Sequence, residues 1–324
     1  MKAIIPVAGE GTRLRPHTHT VPKPLLRVAG KPILGHILDD AVKIGINDIV
    51  LIVGYRGQDI VDYVRANYDV RVNFVEQEVR LGLGHAIHLA RKYVGSEPVL
   101  IVLGDSILKG DFKKMTSSDC NFIGVKRVAE PQRFGVVNLE GDRIVDLVEK
   151  PERPQSDLAV VGIYYIKDSP ALFAALDSII SSETRTKGEF QLTDALNLMI
   201  KDGTELKAFE IDSWFDCGKP ETLLETNRAL LELSAPGLDL PGSIIVHPVF
   251  VAPDAVVEAS VIGPYVSIAE KAVVKRSIIR NSIIGESASV EDGLLDSSLI
   301  GDNATVRGTF KRLNVGDSSE IDFT

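Results

Sequence analysis

The stretch Ala3-Ile-Ile-Pro-Val-Ala-Gly-Glu-Gly-Thr-Arg-Leu-Arg-Pro16 decides how the chain is read. Its first residues form a short apolar run of strand character, which breaks directly into a turn holding Gly9, Gly11, Arg13 and Arg15. Glycine removes the Cβ that would hold a ligand away, so the backbone N–H groups of such a turn can converge on phosphate oxygens. The third glycine of a dinucleotide fingerprint is absent, and no Gly-Lys-Ser/Thr follows to make a Walker A loop. The turn is a phosphate-binding candidate of another kind, set at the end of a first strand.

Working outward, residues 3–7, 48–53, 70–75 and 99–103 read as strands and residues 33–43, 58–67 and 83–93 as helices between them. Helices interleaved in this way cover both faces of a mostly parallel sheet, giving a Rossmann-like α/β/α sandwich. Further strands are expected at 122–126, 135–138, 144–149 and 158–166, and helices at 170–176, 191–201 and 221–233. Ser234-Ala-Pro-Gly-Leu-Asp-Leu-Pro-Gly242 carries two Pro-Gly pairs and reads as a linker.

A different period begins after it. Aliphatic residues recur at Ile245, Val251, Val257, Ile262, Ile268, Val274, Ile279, Ile284, Val290, Leu295, Ile300 and Val306, each five or six residues after the last. This fits neither a helix nor an alternating strand, but it fits a triangular coil with one inward aliphatic per face, a left-handed parallel β-helix of hexapeptide repeats. The alternative is a β-sandwich of short strands, whose repeats are less regular. The expected domains are therefore a catalytic domain over residues 1–235 and a β-helix over 243–324.

Composition bounds the rest. A chain of 324 residues accommodates two domains, at about 100 to 200 residues each. A net charge of −9 repels nucleic acid, so no polynucleotide partner is expected. Cys120 and Cys217 have neither the number nor the spacing of a disulfide framework or a zinc site. The apolar stretch at 3–8 is too short for a signal-peptide core, and no run approaches the roughly 18 residues of a membrane span. A cytoplasmic protein without a membrane partner is expected.

The opening turn resembles, residue by residue, the Gly-x-Gly-Thr-Arg-Leu-x-Pro opening of the sugar-1-phosphate nucleotidyltransferases, followed here by Pro22-Lys-Pro-Leu-Leu26. The likeness continues in Val75-Glu-Gln-Glu-Val-Arg-Leu-Gly-Leu-Gly-His-Ala86, Leu103-Gly-Asp105, Phe134-Gly-Val-Val137, Val148-Glu-Lys-Pro151, Val160-Val-Gly162 and Trp214-Phe-Asp-Cys-Gly218. Residues 1 to about 233 are similar to glucose-1-phosphate thymidylyltransferases and their uridylyltransferase relatives, with the repeats appended as in longer members.

The resemblance implies transfer of a nucleotidyl group from dTTP or UTP to a hexose 1-phosphate, foremost glucose 1-phosphate, with release of pyrophosphate. It implies that Ala8, Gly9, Gly11, Thr12 and Arg13 hold the triphosphate, that Lys23 neutralises charge at the α-phosphate, and that Gln77 and Gly82 receive the base. Gly135, Glu149 and Gly162 line the sugar, Lys150 takes the sugar phosphate, and Asp105 and Asp216 bind Mg²⁺. Arg13, Lys23 and Lys150 are then the catalytic set. Arg15 reads as a solvated arginine and His85 as a helix-start residue, since a phosphate nucleophile needs no base.

Two positions depart from the family pattern: Ser106 stands in place of a common asparagine, and Asn197 where an arginine lies near the sugar phosphate. Two other functions remain open. One is a non-catalytic regulatory subunit, disfavoured by retention of Arg13, Lys23, Asp105, Lys150 and Asp216. The other is a bifunctional enzyme with acyltransferase repeats, disfavoured because the repeats hold only His247. The repeats are expected to serve assembly as a homo-oligomer or stability.

Overall fold

β-Branched runs alternating with amphipathic stretches build a nine-stranded sheet in the computed structural model, which describes residues 1–308 apart from 235, 236 and 238. Across the sheet the order is Arg71–Glu76, Asp48–Val53, Lys2–Pro6, Val99–Val102, Leu158–Ile166, Asn121–Arg127, Leu206–Glu210, Arg143–Glu149 and Gly135–Glu140. The first four strands run parallel. Ile4, Ile5, Val50, Leu51 and Ile52 are fully buried although neighbours point to opposite faces, so both faces are covered here. Beyond Val99–Val102 the sheet is mixed: Leu158–Ile166 is antiparallel to both of its neighbours, and Leu206–Glu210 is parallel to Asn121–Arg127.

Most expected elements are present within a residue or two. The helix Ser169–Ser181 outruns its expected end because the apolar spacing continues through Leu172, Phe173, Leu176 and Ile179, while Asp168 caps the Ala171 N–H at 3.0 Å. Residues 83–93 divide into Leu83–Leu89 and Arg91–Val94. Five strands were not legible in advance: the two-residue Arg27–Val28 and Lys31–Pro32; Ser106–Lys109 and Ser213–Asp216, which pair only with each other as a separate antiparallel ribbon; and Leu206–Glu210. Runs of two to five residues carry too few positions to show a period.

The chain divides into two compact units. One comprises Met1–Leu26 and Lys31–Thr226; the other, Arg27–Gly30 and the chain from Asn227 onward. The second unit is the parallel β-helix, with three faces of four strands each. Successive coils are 16 or 17 residues apart, and Ile262, Ile268, Val274, Ile279, Ile284 and Val290 are fully buried along its axis. The remaining aliphatics of the hexapeptide series pack around that core.

Its corners carry Ala259, Tyr265, Lys271, Arg276, Asn281, Ser287, Asp292, Ser297 and Asn303, all with positive φ. Each such residue costs on the order of 1 kcal/mol, which the repeated stacking must overcome. Arg27 belongs to this unit through Glu270 at 3.1 Å and Glu286 at 3.5 Å. The expected linker at 234–242 lies partly, and residues 309–324 of the expected β-helix wholly, outside the described residues. Among the described residues no helix is long and apolar enough to cross a membrane.

Candidate functional site

Three strands of the parallel half end at Pro6, Glu76 and Val102, the last two on either side of Lys2–Pro6 with Asp48–Val53 between Lys2–Pro6 and Arg71–Glu76, and the chain that leaves them encloses a cavity of ≈ 530 Å³. Lys2–Pro6 lies between Asp48–Val53 and Val99–Val102, where the strand order reverses and α/β sheets leave a crevice for ligands.

The glycine-rich turn supplies one wall through Ala8, Gly9, Gly11, Thr12 and Arg13. Gly11 has φ +64°, and a Cβ there would stand 2.9 Å from Lys23 Cβ and 3.0 Å from Thr18 Cγ2. Glycine is thus required by backbone and by space. Thr18 Oγ1 donates to Gly11 O at 2.8 Å, tying the turn to the following chain. Lys23, only 8% exposed, also lines the cavity and reaches Asp105 Oδ2 with Nζ at 3.0 Å. A lysine buried this deeply needs an anion, and Asp105 serves in that role.

A second wall is the loop that carries Gln77, Arg80 and Gly82. Gly82 has φ +107°, and a Cβ would lie 2.6 Å from Phe190 O. The two glycines of Gly82-Leu83-Gly84 therefore admit protein backbone, with Gly84 N–H bonding Phe190 O at 2.8 Å. Gln77 Nε2 donates to Gly82 O at 3.3 Å and meets His85 Nδ1 at 3.2 Å.

Arg80 forms an ion pair with Glu10, which holds that carboxyl below its usual range. This pair links the glycine-rich turn to the loop of Gln77 and Gly82. Sequence reasoning missed Glu10 and Arg80, and no period or motif joins the two positions.

Asp105 and Asp216 approach through the two-stranded ribbon, in which Ser106 lies opposite Asp216 and Cys217 N–H donates to Asp105 O at 3.1 Å. A Cβ on Gly218 would sit 2.9 Å from Asp216 Oδ1 and 3.3 Å from Arg13 Nη2, so the carboxylate and the guanidinium share one corner. Burial pushes the Cys217 thiol up to about 12, which leaves it inert beside them.

The residues expected on the sugar side do not line this cavity. Gly135 and Glu149 are register partners on adjacent strands, and a Cβ on Gly135 would stand 3.2 Å from Glu149 Oε2. Lys150 Nζ lies 3.3 Å from Glu149 Oε1, and Thr193 Oγ1 donates to Glu149 Oε2 at 3.5 Å. Gly162 packs against Leu103 and accepts its N–H at 2.9 Å, one step from Gly104-Asp105. The phenol of Tyr164 is raised by burial and then by Glu149 and Asp105, so both carboxylates act on the same buried hydroxyl. Trp214 Nε1 and Asp194 Oδ2 are buried without a hydrogen-bond partner among the described residues. Asn197 serves the protein backbone instead: Oδ1 accepts from Leu147 N–H at 2.8 Å, and Nδ2 donates to Leu147 O.

Known proteins share this construction. The nucleotidyl transferase family model matches residues 2–232. A low-salt glycan biosynthesis nucleotidyltransferase of Haloferax volcanii is 31% identical over 369 aligned positions, covering 99% of each chain. A glucose-1-phosphate thymidylyltransferase of Streptomyces antibioticus is 32% identical over 358 positions, again covering 99% of each. Among solved structures, a UDP-glucose pyrophosphorylase complexed with UDP-glucose superposes with a TM-score of 0.64 at 29% identity, over 72% of this chain and 99% of that one.

Proposed function

The chain belongs to the nucleotidyl transferase family, and on that premise we propose that it joins dTTP or UTP to a hexose 1-phosphate, foremost glucose 1-phosphate, releasing pyrophosphate. The observation that carries this reading is the single cavity uniting the glycine-rich turn, Arg13, Lys23, Gln77 and Asp105. A phosphate oxygen of the sugar phosphate attacks the α-phosphorus, the α–β bridging bond breaks, and pyrophosphate departs with the electron pair. The nucleophile is already ionised, so the protein supplies alignment and compensation of negative charge.

In this reading Arg13 and the turn's N–H groups hold the triphosphate. Lys23 balances charge at the α-phosphate, Gln77 and Gly82 meet the base, and Lys150 holds the sugar phosphate. Glu149, with Gly135 and Gly162, receives the sugar.

The donor set fits Mg²⁺. Asp216, at the end of one strand of the ribbon, and Asp105, just before the strand opposite it, offer hard oxygen ligands of the kind Mg²⁺ takes. When bound there, Mg²⁺ would neutralise phosphate charge; Asp105 and Asp216 would hold it.

We further assign the protein to the cytoplasm as a homo-oligomer without nucleic-acid partners. Ile244, Ile278 and Leu294 support assembly: they are 62%, 51% and 80% exposed and stack on one face of the β-helix.

Pyrophosphate release across a matrix of nucleoside triphosphates and sugar 1-phosphates tests the activity. Asp105→Asn and Asp216→Asn should each lower turnover by orders of magnitude with unchanged circular dichroism. Turnover near wild type at limiting Mg²⁺ in either variant would refute the metal assignment.

A further inference from the structure

Gln77 is only 7% exposed, lines the cavity, and has its amide nitrogen facing two polar atoms. One is Gly82 O at 3.3 Å, a carbonyl that cannot donate; the other is His85 Nδ1 at 3.2 Å. Because Gly82 O cannot donate, the amide nitrogen must face it, and that same nitrogen can bond His85 Nδ1 only if Nδ1 carries the lone pair. Burial, with His88 nearby, lowers the His85 pKa and so favours the neutral ring this requires. The next imidazole along the helix is engaged elsewhere, His88 Nε2 meeting Asp177 Oδ1 at 2.8 Å. With both Nε2 hydrogens used inside the loop, the group that the amide can offer a ligand is Oε1, an acceptor.

We infer that His85 is a positioning residue for base choice: it holds the Gln77 amide with its oxygen toward the cavity, so that the site takes a pyrimidine bearing N3–H, uracil or thymine, over cytosine. The inference rests on the triphosphate reading of this cavity. Uracil and thymine donate N3–H to such an oxygen. Cytosine presents a lone pair at N3, leaving two acceptors opposed, and a site built around one hydrogen bond rejects a partner that cannot make it. Rotating the amide to suit cytosine would turn Oε1 against Gly82 O and the His85 lone pair together. Removing the acceptor at position 85 removes one of these two restraints.

The test is the ratio of kcat/KM for UTP to that for CTP in the full-length enzyme with glucose 1-phosphate. His85→Leu should lower this ratio by about tenfold, the size of one hydrogen-bond preference. His85→Asn, whose Oδ1 falls near the place of Nδ1, should restore it. A loss of packing alone would slow both triphosphates equally and leave the ratio unchanged; that result, or equal use of UTP and CTP by the wild type, overturns the inference. If His85→Leu folds poorly by its melting curve, His85→Ala reads the same ratio. If the wild type turns over no triphosphate, the proposed activity fails, while calorimetric binding of UTP against CTP to wild type and variant still decides the role of His85.

Discussion

Asn197→Ala tests a contact that tertiary structure created. The strand Arg143–Glu149 pairs with Leu206–Glu210 at only one position, Arg143 opposite Lys207. The Asn197 amide supplies the N–H and C=O of Leu147 with the partners a neighbouring strand would otherwise give. Each bond contributes about 0.5–1.5 kcal/mol net, and truncation also leaves two partly buried backbone groups unpaired, so the loss should be about 2–4 kcal/mol. For a domain of this size that corresponds to a fall in Tm of roughly 5–10 °C. Differential scanning fluorimetry with a urea titration measures both quantities. The same strand ends in Glu149, so KM for the sugar 1-phosphate should rise while KM for the triphosphate changes little. A fall in Tm below about 2 °C would mean that the amide is not a clamp.

Lys150→Ala should raise KM for the sugar 1-phosphate well above any change for the triphosphate; equal shifts in steady-state assays would count against its assignment. A disulfide exchange reagent at pH 8 should leave Cys217, buried and raised to about 12, untouched in the native protein and modify it only after unfolding; rapid native reaction at Cys217 would contradict its burial. Ile279→Ala, at a fully buried position of the β-helix, should cost about 2–5 kcal/mol in a denaturant titration. Ile278→Glu combined with Leu294→Glu should lower the mass seen by analytical ultracentrifugation, and an unchanged mass would exclude this face from assembly.

The sequence by itself determined what short-range pattern can carry. The run into Gly9 and Gly11 marked a strand followed by a glycine-rich turn, and the five-to-six-residue recurrence from Ile245 to Val306 marked the β-helix, because both signals lie within a few residues of chain. Its aliphatics indeed form the β-helix core. The left-handed corners escaped notice, since Lys271, Arg276 and Asp292 carry no local mark of positive φ. Tertiary structure alone decided which distant groups meet: Asp216 opposite Ser106, Glu10 with Arg80, Asn197 on Leu147, and Arg27 with Glu270 and Glu286. Such pairs have no shared period to read. They form because burying the apolar faces of strands and helices fixes where the polar ends emerge, and each buried N–H, C=O or charge must then take whatever partner that packing brings within reach.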